Sequence, residues 1–158
     1  RRLIFAHSLA IKYMYEHPYN AAMMFADGFD VDPYVALRTI YMKTVSEGRT
    51  LTWKFSDPNV DSFLEYYTQY SQIPEEEIPL INDRNTLISS EVLEAAEIED
   101  FQTYIKDVVD PIMPLGTTFE DWYEISKEID GISDEDAVDI SDTATPYLNE
   151  NLDERTSN

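Results

Sequence analysis

Cysteine is absent from this 158-residue chain, glycine occurs only four times, and no long uninterrupted apolar run is present. The lack of cysteine excludes disulfides, thiolate metal sites and cysteine nucleophiles. Four glycines are too few for a phosphate-binding loop, and no P-loop, GxGxxG, GxSxG or HExxH motif occurs. Without about 18 consecutive apolar residues, no segment is expected to cross a membrane. These absences argue against most enzyme classes, and we predict a non-enzymatic chain without a cofactor.

Basic residues are scarce after residue 54. Residues 1–54 carry seven Lys or Arg and five Asp or Glu, a net charge of +2. Residues 55–158 carry four Lys or Arg and 27 Asp or Glu, a net charge of −23, and the two parts sum to −21. A field of this size governs partners and association rates rather than the fold. We therefore expect the partner to be a basic protein surface or a larger protein complex, and we expect no membrane partner, because anionic headgroups repel carboxylates.

The hydrophobic pattern predicts a mainly α fold. An apolar content of 43% with 13% aromatics is typical of a globular chain. We expect one compact helical domain over residues 1–142, with a near-neutral part at 1–54 and an acidic helical part at 55–142. Residues 143–158 are predicted to be a flexible or partner-ordered acidic tail. Because Leu51, Trp53 and Phe55 alternate with polar residues, at most a small two-stranded β element is expected near 50–55.

Start and stop signals divide the helical part into segments. Expected helices cover residues 3–15, 21–26, 33–47, 58–71, a long segment after Ser90 that ends at Pro111, and a segment that ends at Gly131. The first is apolar on most sides and is predicted to be largely buried. Asn20 is expected to cap the second helix and Gly28 to close it, while Asp32 and Pro33 open the third. A capping box of Thr117 and Glu120 is expected to open the last helix.

Histidines and carboxylates provide little support for catalysis or metal binding. His7 lies in an apolar helix and His17 precedes a proline, so both are predicted to be structural. The densest acidic cluster fails the EF-hand spacing, because Gly131 directly follows its first Asp. We interpret it as a solvated acidic face without a metal ion. Its members are Asp130, Asp134, Glu135, Asp136, Asp139 and Asp142.

Residues 21–46 permit one nucleic-acid hypothesis. Two helices joined at Gly28 and Phe29 are similar to a helix-turn-helix, and Arg38, Lys43, Arg49 and Lys54 lie in or after this part. Asp30 and Asp32 stand where a recognition helix would meet phosphate, and the net charge of −21 opposes DNA. We expect a helical hairpin packed in the core, with direct nucleic-acid binding as a minor alternative.

Tyrosine is the more informative residue. The chain has eleven, more than one core easily buries, because each hydroxyl needs a partner. Protein interfaces favour tyrosine, so some are expected to anchor a partner inside an acidic rim. The alternative is that half line the core with their hydroxyls at the surface. The predicted interaction residues are Tyr66, Tyr70, Glu75, Glu76, Glu77, Glu94, Asp134, Glu135 and Asp136.

The predicted function is that of an acidic interaction protein, an accessory or structural component of a larger viral or phage assembly. The alternative is a nucleic-acid mimic, since the acid and tyrosine content resembles that of phage-encoded DNA mimics. Residues 64–97 combine a tyrosine-rich helix, the sequence Ile-Pro-Glu-Glu-Glu-Ile at 73–78, Leu80-Ile81 and an acidic helix. This pattern resembles phage late-transcription coactivators, which contact RNA polymerase. The resemblance implies a transcription accessory factor that contacts the polymerase; the long extensions on either side depart from it.

Overall fold

The structure, a computed structural model, describes residues 1–54, 57–70, 74, 76–79 and 91–141. Within these ranges the chain is mainly α-helical and contains no strand, which confirms the predicted fold class. Two π-helical turns, Met42–Ser46 and Ile105–Val109, prolong the third and sixth helices. The named helices are α1 Arg2–Glu16, α2 Pro18–Phe29, α3 Pro33–Tyr41, α4 Asp57–Tyr70, α5 Glu91–Ala95, α6 Phe101–Tyr104 and α7 Phe119–Asp130. The predicted tail at 143–158 lies outside the described residues.

The expected strand near 50–55 is not formed up to residue 54, and Phe55 lies outside the described residues. The segment is held instead by hydrogen bonds to α1 and to the connection between α5 and α6. The Tyr15 hydroxyl donates to the Leu51 carbonyl at 2.8 Å, and the Trp53 indole donates to the Glu99 carbonyl at 3.0 Å. The alternating pattern reflects an extended segment that turns Leu51 and Trp53 towards the same apolar cluster.

Helix α3 begins as its sequence predicts. Asp32 Oδ1 accepts a hydrogen bond of 2.8 Å from the Tyr34 backbone N–H, and Pro33 occupies the first helical position. The helix and its π turn end at Glu47, just before Gly48, whose φ is +76°. Only glycine adopts this left-handed region without strain, so Gly48 is a natural stop.

The second helix is longer than predicted. It begins at Pro18, where a proline ring fits the first turn, and Gly28 lies inside it. The left-handed residue that ends it is Asp30, with φ of 52°. The Asn20 side chain is not the cap: Asp130 Oδ2 accepts from the Asn20 backbone N–H at 2.9 Å. A carboxylate at the end of α7 thus satisfies a free N–H group at the start of α2.

The long helix expected after Ser90 is two short helices. Glu97 has φ of 52°, a left-handed conformation that stops α5. Helix α6 then starts at Asp100, whose Oδ1 accepts from the Thr103 N–H at 3.0 Å. The apolar positions of the two segments are therefore not one continuous stripe.

The capping prediction for the last helix was one residue early. Thr118, not Thr117, is the N-cap of α7, and its Oγ1 accepts from the Asp121 N–H at 3.1 Å. The Thr118 hydroxyl also donates to Asp121 Oδ2 at 2.9 Å, so Asp121, not Glu120, is the side-chain partner of the N-cap residue. The helix ends at Gly131, with φ of 67°, as predicted.

Two apolar clusters form the core. The first joins α2, α3 and α7 around Trp122, Leu37 and Ala22, all with no exposed surface. The second joins the end of α1, the segment around Trp53 and helix α6, and it contains Ile11, Tyr15, Phe101 and Tyr104. Both clusters contain residues from the 1–54 part of the chain. The small net charge of that part is compatible with its burial, because few charged groups have to leave water.

Arg49 connects elements of the two clusters. Its side chain is 6% exposed, and one guanidinium nitrogen donates to Asp110 Oδ1 at 2.8 Å. The guanidinium also donates to the backbone carbonyls of Thr44 and Met113. The π turn after α3 and the segment after α6 are thus joined through one cation that satisfies carbonyl groups of both.

Helix α1 is less buried than its sequence predicts. Ser8, Ile11 and Tyr15 face the core. Leu3 is 81% exposed, Phe5 48% and Leu9 50%, so the prediction of a largely buried helix is wrong. The helix is apolar on two sides, and the described residues cover one of them.

Candidate protein-docking surface

Helix α4 presents four aromatic side chains on one face. Phe63, Tyr66, Tyr67 and Tyr70 follow the i, i+3, i+4, i+7 spacing of an apolar helix face. They are 61%, 65%, 41% and 64% exposed, respectively. The ring centroids of Tyr66 and Tyr70 lie 4.6 Å apart, and the stacked rings of Phe63 and Tyr67 lie 5.6 Å apart. We call these four residues the tyrosine stripe.

The half-buried residues of α4 lie on the face next to the stripe. Val60, Leu64 and Thr68 are half-buried, and Leu64 lines an open cleft with Asp61, Glu65, Thr68 and Gln69. Tyr66 and Tyr70 lie farthest around the helix from these three residues, whereas Tyr67 borders them and is the least exposed member of the stripe. An aromatic face of this kind is normally covered in a folded protein, which makes the stripe a candidate contact surface.

The structure brings the predicted residues Tyr66 and Tyr70 together and places the predicted acidic residues on other segments. Glu76 and Glu77 are exposed in the turn after α4, and Glu75 lies outside the described residues. Glu94 is on α5 and lines a cleft with Trp53 and Lys54. Phe63 and Tyr67 were not among the predicted interaction residues. Their helical spacing relative to Tyr66 and Tyr70 is the sequence signal that joins all four.

Asp134, Glu135 and Asp136 follow α7, and all three are exposed. Asp134 Oδ1 lies 2.7 Å from Lys127 Nζ, and Asp136 Oδ2 accepts from the Ser133 hydroxyl at 2.6 Å. The hydrogen bond from Lys127 lowers the pKa of Asp134 below its ordinary value. The pKa of Lys127 is raised, mainly by its hydrogen bond to Asp134 and second by that to Glu124. Two of these three carboxylates thus also have partners inside the chain.

The remaining tyrosines divide between core and surface. Tyr15, Tyr19, Tyr104 and Tyr123 are buried, and their hydroxyls are hydrogen-bonded within the chain. Burial raises the pKa of Tyr15 and Tyr123 above the ordinary value. The pKa of Tyr104 is raised mainly by burial and second by the nearby Glu16 carboxylate. The core interpretation therefore applies to these four residues, and the interface interpretation stays a prediction for the exposed tyrosines of the stripe.

His17 belongs to a structural contact. Its Nδ1 lies 2.9 Å from Asp130 Oδ1, and the Asp130 side chain has no exposed surface. Asp130 also bonds the Asn20 N–H, so it serves the helix junction rather than an acidic surface. In the part of the chain that the structure describes, no group of three or more histidines and carboxylates is arranged to hold a metal ion.

The basic residues near the proposed helix-turn-helix are engaged within the chain. Lys43 pairs with Glu47, Arg49 with Asp110, and Lys54 with Asp100. The Arg38 guanidinium carbon lies 4.5 Å from the centroid of the Phe119 ring. Helices α2 and α3 bury Ala22, Ala36 and Leu37 against each other and α7, which is the helical hairpin in the core that the sequence predicts.

The chain matches no protein-family model, and comparisons with curated proteins and with solved structures found no significant similarity. None of the helices in the described ranges is both long enough and apolar enough to cross a membrane. The likeness of residues 64–97 to phage coactivators stays a prediction, and the assignment of function depends on the geometry of the chain itself.

Proposed function

We propose that this chain is a non-enzymatic docking protein that binds an arginine-rich, positively charged surface of a protein partner. The observation that carries the proposal is the tyrosine stripe, four exposed aromatic residues on one face of α4 in a chain of net charge −21. Aromatic residues anchor interfaces, while complementary charge guides the encounter and selects the partner.

The distribution of charge supports a basic partner. Every Asp and Glu whose burial is described is exposed, with the exception of Asp130, whose side chain is buried. Most of the described basic side chains, by contrast, lie in ion pairs or against an aromatic ring within the chain. These are Lys12, Arg38, Lys43, Arg49, Lys54 and Lys127. The surface field is therefore negative and attracts cations.

The stripe favours arginine over lysine as the partner's cation. A guanidinium is planar and stacks on aromatic rings, whereas an ammonium is a compact and strongly hydrated charge. A cation over an aromatic ring contributes about 0.5–2 kcal/mol, more as the site loses water. Asp61 and Glu65 are exposed on the same helix as the stripe, and their carboxylates add to the negative field around it.

The first prediction concerns the two most exposed tyrosines of the stripe. Replacing Tyr66 and Tyr70 together by serine should weaken the binding of an arginine-rich peptide by about tenfold, since two ring contacts of about 0.7 kcal/mol each would be lost. Isothermal titration calorimetry of wild type and variant measures this change. A lysine-rich peptide of the same length and charge should bind wild type more weakly and lose less affinity in the variant.

Phe29 provides the matched control, because it is 71% exposed on α2 and lies outside the stripe. Phe29→Ser should leave the affinity for the arginine-rich peptide unchanged. Equal affinity of wild type and the double variant, or equal preference for lysine and arginine, contradicts a docking role of the stripe and leaves only non-specific attraction by the acidic surface.

A further inference from the structure

Helix α1 has a second apolar face opposite the one that it buries. Ser8, Ile11 and Tyr15 face the second core cluster. Phe5, Leu9 and Tyr13, spaced at i, i+4 and i+8, are 48%, 50% and 39% exposed. A helix that is hydrophobic all round is normally enclosed on every side. The exposed face therefore lacks the cover that its composition indicates.

The charges at the two ends of this face are complementary. Arg2 lies at the start of α1 and exposed Glu16 at its end, and by helical spacing both fall on the face of Phe5, Leu9 and Tyr13. Glu16 Oε1 also accepts from the Tyr104 hydroxyl at 3.0 Å, a contact that fixes the position of this carboxylate at the end of the face. The order Arg2, Phe5, Leu9, Tyr13, Glu16 is symmetric about Leu9, with steps of three, four, four and three residues. Glu16 is the one carboxylate of α1, so within this helix the face is basic at one end and acidic at the other.

We propose that a second copy of this chain covers this face through antiparallel packing of α1 on α1 across a two-fold axis at Leu9. In that arrangement Leu9 meets Leu9 of the second copy, Phe5 meets Tyr13, and Arg2 meets Glu16, each pair occurring twice. A two-fold interface requires a surface that is complementary to itself, and this face satisfies the requirement in residue spacing and in charge. Small residues beside the seam, Ala6 and Ala10, allow the two helices to approach closely.

The expected dimer is weak. Helix α1 has 15 residues, about 22 Å at 1.5 Å per residue, so one helix pair buries less than the roughly 1,200 Å² of a stable interface. Each copy carries a net charge of −21, and the two repel each other. Salt screens that repulsion and leaves the apolar contact in place. Dimerisation should therefore strengthen as salt increases, whereas docking to an arginine-rich partner should weaken.

Sedimentation velocity of the full chain over a wide range of protein concentrations, at physiological and at high salt, tests the dimer directly. Leu9→Asp should raise the dimer dissociation constant by about tenfold or more, because two carboxylates would face each other in the seam. Phe29→Asp changes an apolar residue on α2 that is more exposed than Leu9, and it should leave the constant unchanged. Circular dichroism of each variant shows whether the monomer remains folded.

A charge exchange tests the antiparallel register. Arg2→Glu alone and Glu16→Arg alone should each weaken the dimer, because like charges would then be opposed. The two changes together should restore it, since Glu at position 2 would meet Arg at position 16 of the second copy. A monomer at every concentration, or a double variant no better than either single one, overturns the proposal.

The absence of cysteine from the chain allows a further measurement. Leu9→Cys introduces a single thiol on the predicted two-fold axis, and mild oxidation should join two chains quickly. Phe29→Cys should cross-link much more slowly, and equal rates count against the seam. The Tyr66 and Tyr70 variants should not alter the dimer, so this proposal and the proposed function fail independently.

Discussion

Arg49 shows how a residue acquires a role that composition does not reveal. In the sequence it is one of four basic residues near a possible nucleic-acid element. In the structure its guanidinium is buried, bonds the Thr44 and Met113 carbonyls, and pairs with Asp110 across 61 residues of sequence. A charge count contains no information about such distant partners, so the burial of Arg49 was not predictable from its neighbours.

Arg49→Met should be strongly destabilising. The change leaves two backbone carbonyls without their donor in a buried region, and we expect a loss of about 2–4 kcal/mol in the free energy of unfolding. Chemical denaturation followed by circular dichroism measures it. Lys43→Met is the matched control, since it removes the exposed pair with Glu47 and should have little effect. Equal effects of the two changes contradict the structural role of Arg49.

At the scale of helices and their ends, the sequence predicted a boundary correctly where the capping residue is adjacent to the helix in sequence. Asp32 and Pro33 open α3, and Gly131 closes α7, as their sequence positions predict. The α2 start was mispredicted because its cap is the carboxylate of Asp130, which is distant in sequence. The break at Glu97 was missed because a non-glycine residue adopts a left-handed conformation there.

The threonine pair before α7 distinguishes the predicted cap from the observed one. Thr118→Ala should lower the free energy of unfolding by about 1 kcal/mol, because the Asp121 N–H loses its acceptor. Thr117→Ala removes only a hydroxyl that donates to the exposed Pro114 carbonyl, and it should cost less. Thermal denaturation of the two variants compares them. A larger effect at Thr117 would restore the capping box with Glu120.

The whole molecule is dominated by its negative surface. The sequence established this property and the identity of Tyr66 and Tyr70 as candidate anchors. It did not show that Phe63 and Tyr67 are exposed with them, since helical spacing defines a face without saying what covers it. The same limit applies to α1: its apolar composition predicted a largely buried helix, and only the fold shows which face the core covers and that Phe5 and Leu9 stay exposed.

Because the surface charges repel one another, salt should stabilise the folded chain. The screening length falls from about 30 Å at 0.01 M to about 10 Å at 0.1 M salt, which weakens long-range repulsion between carboxylates. The thermal midpoint should rise by about 2–4 °C for each kcal/mol of repulsion removed. Differential scanning calorimetry at a fixed, dilute protein concentration measures the midpoint. A falling midpoint means that local ion pairs such as that of Lys12 and Glu99 outweigh the net charge.

The two tryptophans of the chain are divided between its two apolar clusters, Trp122 in the first and Trp53 in the second. Trp122 is fully buried among aromatic rings, whereas Trp53 lies 5.6 Å from the Lys12 ammonium and close to Glu99. Each cluster therefore contains its own intrinsic fluorophore. If one tryptophan is replaced by phenylalanine, the emission of the other reports on a single apolar cluster. Unfolding followed by each remaining tryptophan then shows whether the two clusters unfold together or one after the other.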